Sequence, residues 1–470
     1  MNTERIFYYF EKLNQIPRGS GDVSKAADFL EDFAKEHSLK CRRDTADNVV
    51  IFKDGSKGYE TLEPVILQGH TDMVCQKSES SNINFETDGI KTYVDGDFLR
   101  AEETTLGADN GIAVAMVLAI LESDDYAHPP IEAIFTSDEE IGMIGAGKLS
   151  LDDINAKRMI NIDAEEPETL TVSCAGGSDF QIVLPFEKRA VSGKSGKIRI
   201  KGLKGGHSGV EIHKGRVNAN ILMGRILNYL NNKTELEICS VNGGDKANAI
   251  TLSAVAELIA DDKFEKVARE YIEVLKAELS AREPELEIEI EVGKTVSAEV
   301  ITQKEKLIFL LACSPDGVMD MSAEIEGLVE TSLNMGILKT EENQVVIHYA
   351  LRSNKQSSLD ALEEKLICFA NQTECKTERF GHYPPWEFND NSKLQKLYIE
   401  SYKEKFGKEP VVSAIHAGLE CGMFASRIEN FDCIAIGPEI LDAHTINERL
   451  RISSVQDIFE VIVKVLEKMK

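Results

Sequence analysis

The sequence predicts an α/β protein with a mostly parallel mixed sheet flanked by helices, and a smaller α+β domain inserted into the same chain. Three observations predict this arrangement. Short apolar runs alternate with helical patterns up to about residue 188, which is typical of a parallel sheet covered by helices. Beyond that point strands of alternating polarity take over, and helix-then-strand order returns near residue 377. The chain also has 470 residues, too many for one ordinary core.

The first part of the chain, residues 1–188, begins with amphipathic helical patterns at 4–14 and 23–37. A loop separates them, as the Pro and Gly residues between 16 and 21 indicate. Apolar runs of strand length and one apolar helix follow. The predicted strands are 48–52, 64–67, 131–135 and 159–162, and the predicted helix is 112–122.

The pattern changes near Lys188, where the polar stretch 189–196 is predicted to be a flexible hinge. Strands and helices of an α+β domain follow. The predicted strands are 197–203 and 286–292, and the predicted helices are 216–231, 262–282 and 357–371. We therefore expect a main domain formed by residues 1–188 and 378–470, with residues 189–377 as the insert.

Charge and cysteine content limit the partners and the compartment. The net charge of −27 argues against nucleic acid or an anionic membrane, since both attract basic surfaces. The longest apolar stretch, Ile112–Leu121, is too short to span a bilayer, and the N-terminus lacks a signal-peptide core. Nine Cys without a CxxC pair indicate reduced thiols. We expect a cytoplasmic protein with no membrane or nucleic-acid partner.

Side chains that bind metal ions follow four of the apolar runs, and a fifth opens the apolar helix. The five are His70, Asp109, Glu140, Asp163 and His444. Functional sites in open α/β sheets gather at the carboxyl ends of the strands, so we expect these residues to converge. Nitrogen and oxygen donors of this kind suit zinc, with manganese or cobalt as alternatives.

The five residues are enough for two metal ions. His70, Asp109 and Asp163 would bind one ion, and Asp109, Glu140 and His444 the other. Three protein ligands per ion leave room for a shared water.

Each residue alone has an ordinary structural explanation. Asp109 sits where a helix N-cap would lie, Glu139–Glu140 suits an exposed acidic turn, and His444 suits a surface loop. Asp163 is harder to explain, because a buried lone carboxylate is costly unless it is paired or bound to metal. The order of the residues, each at the boundary of an element, favours a metal centre.

Two further carboxylates have no ligand role in this count. Asp72 follows His70 by two residues, so on an extended segment both side chains point the same way. Asp72 can then accept the second ring N–H of His70 and orient it. Glu139 stands beside Glu140 and is free to move a proton. The constellation predicts a two-metal hydrolase with Glu139 as general base.

The segments around these residues resemble the two-zinc exopeptidases related to aminoacylase and carboxypeptidase G. The matching segments are His70–Val74, Leu106–Gly111, Thr136–Gly142 and Asn161–Asp163. Within that family the chain is most similar to the aminoacyl-histidine dipeptidases. Three later segments carry that narrower likeness: Gly205–Gly209, Asn242–Ile250 and Ile415–Gly422.

The resemblance implies hydrolysis of Xaa-His (carnosine-like) and other dipeptides by a water between the two metal ions, with Glu139 as general base and Asp72 supporting His70. It also implies a non-proline cis peptide between Asp109 and Asn110. The insert would be a lid, and the protein a homodimer.

In the lid, the resemblance implies that His207 stabilises the oxyanion, from its own chain or from a partner subunit. Arg352 would bind the free carboxylate of the substrate, because a guanidinium matches a carboxylate bidentately. The alternative for Arg352 is an edge-strand residue in solvent. Asn248 would line the pocket or form a turn, and Gly418 and Glu420 would approach the substrate from the main domain.

Two alternatives remain open at this point. One is a broader aminopeptidase, tripeptidase or N-acyl amino acid hydrolase on the same fold. The other is a metal-stabilised binding protein without catalysis, against which the intact acidic pair Glu139–Glu140 speaks.

Overall fold

The computed structural model describes residues 3–470, which divide into two compact units. Unit 1 comprises the chain through Cys174 together with Trp386–Ala414 and Leu419–Lys470, and unit 2 comprises Ala175–Pro385 and Ile415–Gly418. In chain order, unit 2 interrupts unit 1. No helix within the described residues is long and apolar enough to cross a membrane.

Residues 3–470 form eleven α-helices and one short 3-10 turn at Ile212–Lys214. In chain order the helices are α1 Glu4–Asn14, α2 Ser24–Glu36, α3 Ala108–Glu122, α4 Ile144–Lys148, α5 Ala219–Asn231, α6 Phe264–Leu279, α7 Lys304–Ala312, α8 Gln356–Asn371, α9 Lys393–Phe406, α10 Glu420–Ala425 and α11 Ile452–Lys468.

The same residues form 23 strands. In chain order they are β1 Lys40–Arg43, β2 Val49–Lys53, β3 Val65–His70, β4 Thr92–Asp95, β5 Phe98–Ala101, β6 Ile131–Thr136, β7 Arg158–Asn161, β8 Thr169–Cys174, β9 Gly176–Pro185, β10 Lys188–Lys201, β11 Gly206–His207, β12 Leu236–Gly243, β13 Ala249–Ile250, β14 Ala254–Ala260, β15 Glu287–Ile301, β16 Gly317–Met321, β17 Val329–Thr340, β18 Gln344–Ser353, β19 Lys376–Tyr383, β20 Val411–Ile415, β21 Asp432–Ala435, β22 Ile440–Leu441 and β23 Arg449–Arg451.

Unit 1 is built on an eight-stranded mixed sheet of order β1-β2-β6-β3-β7-β21-β8-β20. The predicted mixed sheet flanked by helices is confirmed, and its parallel pairs join the four central strands. Strand β2 is antiparallel to both of its neighbours, and β8 is antiparallel to β21. Every residue of β3 and β6 is buried, as expected for strands covered on both faces.

The central strands end at one edge of this sheet. His70 at the end of β3 pairs with Thr136 at the end of β6, and Gln68 pairs with Asn161 at the end of β7. Asn161 in turn pairs with Ala435 of β21. Because the four strands run in the same direction, the loops that follow them meet at one edge.

Helix α3 lies against β3 and begins with a distorted turn. The backbone of Asp109 and Asn110 is not helical, and the peptide bond between them is cis, so the predicted cis peptide is confirmed. From Asn110 to Leu121 every residue is buried, as the apolar sequence predicts.

A long-range partner caps the start of α3. The Glu448 carboxylate is 3% exposed and accepts hydrogen bonds from four successive backbone N–H groups. Those donors are Leu106, Gly107, Ala108 and Asp109, at distances of 2.7–3.3 Å. Glu448 therefore accepts the N–H groups that an N-cap side chain would otherwise accept. The carboxylate of Asp109 can then contact other groups.

Unit 2 contains a nine-stranded sheet of order β15-β10-β14-β12-β17-β18-β9-β19, with β16 paired to β17. Helices α5 to α8 share a hydrophobic core with these strands. The helices predicted at 216–231, 262–282 and 357–371 are present as α5, α6 and α8, with ends that differ by at most three residues. The first unit boundary falls after Cys174, because β9 already pairs with β18 and β19.

The hinge predicted at 189–196 is wrong. These residues belong to β10, which pairs with β15 from Lys188 opposite Ile301 to Lys201 opposite Glu287. The segment is polar because most of its side chains are exposed or half-buried, and its first five residues pair with β15 alone. Exposed strands and flexible loops share that composition, so polarity alone did not separate them.

We predict that Glu448→Gln lowers the free energy of unfolding by about 2 kcal/mol, because the charged acceptor of four N–H groups is replaced by an amide with one acceptor oxygen. Urea unfolding of the metal-free protein measures this. Glu265→Gln, in the first turn of α6 and exposed, is the matched control and should change stability by less than about 0.5 kcal/mol. Equal effects of the two substitutions would contradict the capping role.

Candidate metal centre

All five predicted metal ligands lie in unit 1, at the edge where the central strands end. His70 is the last residue of β3, Glu140 follows β6, Asp163 follows β7, and His444 follows β21 and β22. Asp109 stands in the distorted first turn of α3. The parallel strands thus bring together residues that are up to 374 positions apart.

Asp109 lies between the two histidines. Its Oδ1 is 3.1 Å from His70 Nε2, and its Oδ2 is 2.9 Å from His444 Nε2. Asp163 Oδ1 is 3.5 Å from His70 Nε2, and Glu140 Oε1 is 2.9 Å from His444 Nε2. The five side chains therefore form two groups of three that share Asp109.

These distances suit ligands of a common ion. Metal–ligand bonds of about 2.0–2.1 Å in tetrahedral geometry place two donor atoms roughly 3.3 Å apart. The observed separations of 2.9–3.5 Å lie around that value. One ligand atom from each of His70, Asp109 and Glu140 also lies within 4.8 Å of the others. Glu140 Oε1 is buried and has no hydrogen bond of good geometry, although His444 is close.

The histidines are strongly basic in the absence of a metal ion. The hydrogen bond to Asp109 and the close Glu140 carboxylate raise the pKa of His444 to about 11. Burial lowers the pKa of His70, but the charge of Asp163 and the hydrogen bonds to Asp109, Asp163 and Asp72 outweigh it and raise the pKa well above its usual value. Burial raises the pKa of Asp163 to about 6. Protons thus occupy the places that cations would take.

Asp72 is fully buried and touches three parts of the site. Its Oδ1 lies 3.3 Å from His70 Nδ1 and accepts the backbone N–H of Glu139 at 3.0 Å. Its Oδ2 accepts the backbone N–H of Glu140 at 3.2 Å and the hydroxyl of Ser20 at 2.7 Å. Burial opposes its charge, but these donors lower the pKa of Asp72 to about 2. His70 Nδ1 also hydrogen-bonds to the backbone oxygen of Asp72 at 3.2 Å, and the two contacts turn the ring so that Nε2 faces Asp109.

Glu139 has the properties of a proton acceptor. Burial raises the pKa of Glu139 well above its usual value, and the charges of Asp163, Glu420 and Glu140 add to the effect, while His70 opposes it. A carboxylate with a raised pKa is a stronger base than an ordinary glutamate, which suits general acid–base catalysis.

The structure places Glu420 behind the site, although the sequence analysis expected it to approach a substrate. Glu420 is 0% exposed, and its Oε2 accepts hydrogen bonds from Gln68 Nε2 at 2.5 Å and Thr136 Oγ1 at 2.6 Å. Asn161 Nδ2 donates to Gln68 at 2.5 Å and extends this network across three strand ends. Burial raises the pKa of Glu420 to about 7.

The other four predicted residues belong to unit 2, where His207 and Arg352 lie together. His207 Nδ1 accepts the backbone N–H groups of Gly209 and Val210, so the ring proton is on Nε2. Burial lowers the pKa of His207, and the charge of Arg352 adds to this, which keeps the ring neutral. A Cβ added at Gly209 would lie 2.9 Å from His207 Cε1 and 3.1 Å from Arg352 Nε, so both side chains flank that glycine.

Arg352 is 9% exposed and lies on β18, between β17 and β9. The alternative of an edge-strand arginine in solvent is therefore wrong. Its Nη1 donates to the Tyr383 hydroxyl at 2.8 Å, while its buried Nε has no partner. Asn248 is exposed, with its backbone oxygen bonded to Ser208 N, and Gly418 is half-buried.

Some residues that contact the predicted ones were not predicted from the sequence, among them Arg18, Ser20, Tyr383 and Glu448. None of these four follows an apolar strand run, the pattern that predicts the metal ligands. Ser and Arg in a Pro- and Gly-containing loop, and Glu in an acidic loop, look like ordinary surface residues until long-range contacts are known.

Most of the chain matches one known protein family. The model of Peptidase family M20/M25/M40 matches residues 66–468. The cytosol non-specific dipeptidase of Escherichia coli (strain K12) is 36% identical over 476 residues, which cover 100% of this chain and 98% of the relative.

Solved structures of peptidases also match the chain over nearly its whole length. The crystal structure of aminoacylhistidine dipeptidase from Vibrio alginolyticus matches with a TM-score of 0.92 and 36% identity, covering 99% of this chain and 97% of that chain. The resemblance predicted from the sequence is confirmed by these matches. The aminopeptidase PepT from Bacillus cereus matches with a TM-score of 0.59 at 16% identity, covering 100% of this chain and 99% of that chain, and shares the fold alone.

We predict that zinc binding to the metal-free protein releases protons and strengthens as the pH rises. The raised pKa values of His70 and His444 mean that both rings are protonated near pH 7, and each must lose its proton to bind metal. The apparent affinity should rise about tenfold per pH unit for each proton released.

Calorimetry between pH 6 and 8, in buffers of different ionisation enthalpy, measures this release. His444→Ala should release fewer protons, whereas His382→Gln, at an exposed position, should match the parent protein. Zinc binding with no proton release would contradict the proposed ligands.

Proposed function

The chain belongs to peptidase family M20/M25/M40, and from that premise we propose that it is a metal-dependent dipeptidase with two divalent ions at the candidate metal centre. His70, Asp109 and Asp163 would hold one ion, and Asp109, Glu140 and His444 the other. The observation that supports this most directly is the position of Asp109, whose two carboxylate oxygens each face a different histidine. Zinc suits this donor set, with manganese and cobalt as alternatives.

Such ions, when bound, lower the pKa of a water and polarise the carbonyl of the scissile bond. Glu139 would take a proton from the attacking water on its carboxylate and then give it to the nitrogen of the leaving amine. Its raised pKa fits both steps, because the group must accept and release a proton at the same pH. Asp72 would hold His70 and the backbone of Glu139 in place.

The residues of unit 2 suit recognition of the substrate. The His207 ring is neutral with its proton on Nε2, so it can donate a hydrogen bond to the oxygen on which charge develops. Arg352 carries a buried Nε without a partner, which can bind the free C-terminal carboxylate. We propose a homodimer, in which His207 acts in its own chain or across the interface.

The names of the two relatives at 36% identity support a dipeptide substrate, Xaa-His dipeptides included, and the word "cytosol" in one name supports a cytoplasmic location. The binding-protein alternative is wrong, because the family is one of peptidases. A tripeptidase, a broader aminopeptidase or an N-acyl amino acid hydrolase remains the competing assignment, and the substrate panel below separates them.

We predict that Glu139→Gln lowers kcat by roughly 10²–10⁴-fold while both ions stay bound, because the amide cannot take up the proton. Steady-state kinetics and metal analysis of the same sample measure both quantities. Glu166→Gln, an exposed carboxylate in the same unit, is the control and should keep parental kcat. A parental kcat in Glu139→Gln would show that Glu139 is not the general base.

We also predict a requirement for the free C-terminal carboxylate. An Xaa-His dipeptide should be cleaved with a kcat/KM at least about tenfold above that of its C-terminal amide, since a charged hydrogen bond is lost. Arg352→Lys should reduce cleavage of the dipeptide and leave the amide almost unchanged. The panel adds other dipeptides, a tripeptide and an N-acetyl amino acid, each with zinc, manganese and cobalt. A preference for the tripeptide or the N-acetyl amino acid would overturn the dipeptidase assignment.

A further inference from the structure

Residues Arg18–Gly21, here called the N-terminal segment, lie outside the part of the chain that matches the family model. The segment follows α1 and precedes α2. Within unit 1 it makes hydrogen bonds to all three loops that surround His70, Asp109 and Glu139.

Arg18 joins two of those loops. Its side chain is 1% exposed, and Nη1 donates to the backbone oxygens of Thr71 at 3.1 Å and Asp72 at 3.3 Å. Nη2 donates to the backbone oxygen of Gly107 at 2.6 Å. The guanidinium therefore ties the loop after β3, which carries Asp72, to the start of α3, which carries Asp109.

The glycines of the α3 start leave room for this guanidinium. A Cβ added at Gly107 would lie 2.4 Å from Arg18 Nη2, and one added at Gly111 would lie 2.6 Å from the same atom. Gly107 also has a φ of +70°, which favours glycine. The close fit indicates that the local backbone is shaped around a charged group that has no carboxylate within hydrogen-bond distance.

Ser20 bonds directly to the carboxylate that orients the site. Its hydroxyl donates to Asp72 Oδ2 at 2.7 Å. Backbone pairing holds it there, since Met73 N donates to Arg18 O at 3.1 Å and Ser20 N donates to Met73 O at 3.4 Å. Gly21 N donates to Asp138 Oδ1 at 2.7 Å, next to the proposed general base.

A purely structural role is the competing explanation, because a buried arginine that bonds to carbonyl oxygens often only holds a loop. The hydrogen bond from Ser20 to Asp72 argues for a role in positioning the metal centre as well. Asp72 has about four acceptor positions. Two others accept Glu139 N and Glu140 N, and Oδ1 also lies 3.3 Å from His70 Nδ1, which hydrogen-bonds to the backbone oxygen of Asp72. Without the Ser20 hydroxyl, Oδ2 keeps a single donor, Glu140 N, and the carboxylate is held less firmly toward His70.

We propose that Ser20 and Arg18 are positioning residues of the metal centre. They act through Asp72 to fix His70 and Glu139, and through the Gly107 carbonyl to fix Asp109. Neither residue contacts a reacting group. Their effect on catalysis rests on the function proposed above, whereas their effect on metal affinity does not.

The test uses the full-length protein with Ser20→Ala and Ser20→Thr. The matched control is Ser80→Ala, which removes a hydroxyl that donates to Glu103 at 2.6 Å on the exposed surface. Zinc affinity is measured by competition with a chromophoric chelator, and kcat, KM and the pH profile of kcat/KM are measured on a dipeptide.

We expect Ser20→Ala to weaken zinc binding and lower kcat by about threefold to tenfold each. Loss of an outer partner of a metal ligand costs about tenfold or more, and Ser20 is one bond further out because it holds Asp72, the partner of His70. The acid limb of the pH profile should also shift. Ser20→Thr, which keeps the hydroxyl, should return both values to within about twofold of the parent, and Ser80→Ala should match the parent. Parental zinc affinity and parental kcat in Ser20→Ala would overturn the proposal.

Arg18→Lys extends the test, because lysine keeps the charge but loses the fork that reaches both loops. It should weaken zinc binding more than Ser20→Ala does, with a parental circular dichroism spectrum. If Arg18→Lys does not fold, the Ser20 series decides. If the zinc-loaded parent cleaves no dipeptide, the proposed function fails, while the zinc affinities of Ser20→Ala and Ser80→Ala still decide the positioning role.

Discussion

The Asp72 carboxylate is the group on which the rest of the centre depends. A charged group without solvent contact is stable only when its acceptor positions are filled, and Asp72 is surrounded by donors from His70, Ser20 and the backbone of Glu139 and Glu140. Because two of these donors are backbone N–H groups, the carboxylate positions the main chain of the acidic pair as well as a histidine ring. One buried charge thereby sets the geometry of a proposed metal ligand and of the proposed base.

The electrostatics of the centre follow from crowding acidic groups where water is scarce. Burial raises the pKa of Asp163 and of Glu139, and the neighbouring carboxylates hold protons on His70 and His444. The centre is therefore an acid-rich cluster that needs positive charge, and either protons or metal ions can supply that charge. Protons satisfy it without metal, and divalent ions satisfy it with greater precision because they also fix ligand directions.

The sequence predicted the proposed metal ligands through one rule of α/β architecture. Side chains that follow parallel strands meet at one edge, so His70, Glu140, Asp163 and His444 could be assembled from their places after apolar runs. The sequence did not predict the features that depend on tertiary packing. The bond between Glu448 and the start of α3 spans about 340 positions, and no local pattern distinguishes that glutamate from its exposed neighbours. The exposed ribbon at 189–196 has the composition of a loop, and Glu420 lies on a short helix whose burial comes from distant strands.

Helix α3 is synthesised long before the residue that caps it. It is apolar on every side, its first N–H groups bond to Glu448, and Lys53 Nζ bonds to the backbone oxygens of Ile120, Leu121 and Ser123 at its end. A ribosome that has finished only the first 174 residues has produced this helix and four of the five proposed ligands, but neither Glu448 nor His444. Unit 1 must therefore stay incomplete while all of unit 2 is translated. During that interval the apolar helix lacks the Glu448 cap, and the set of proposed ligands lacks His444.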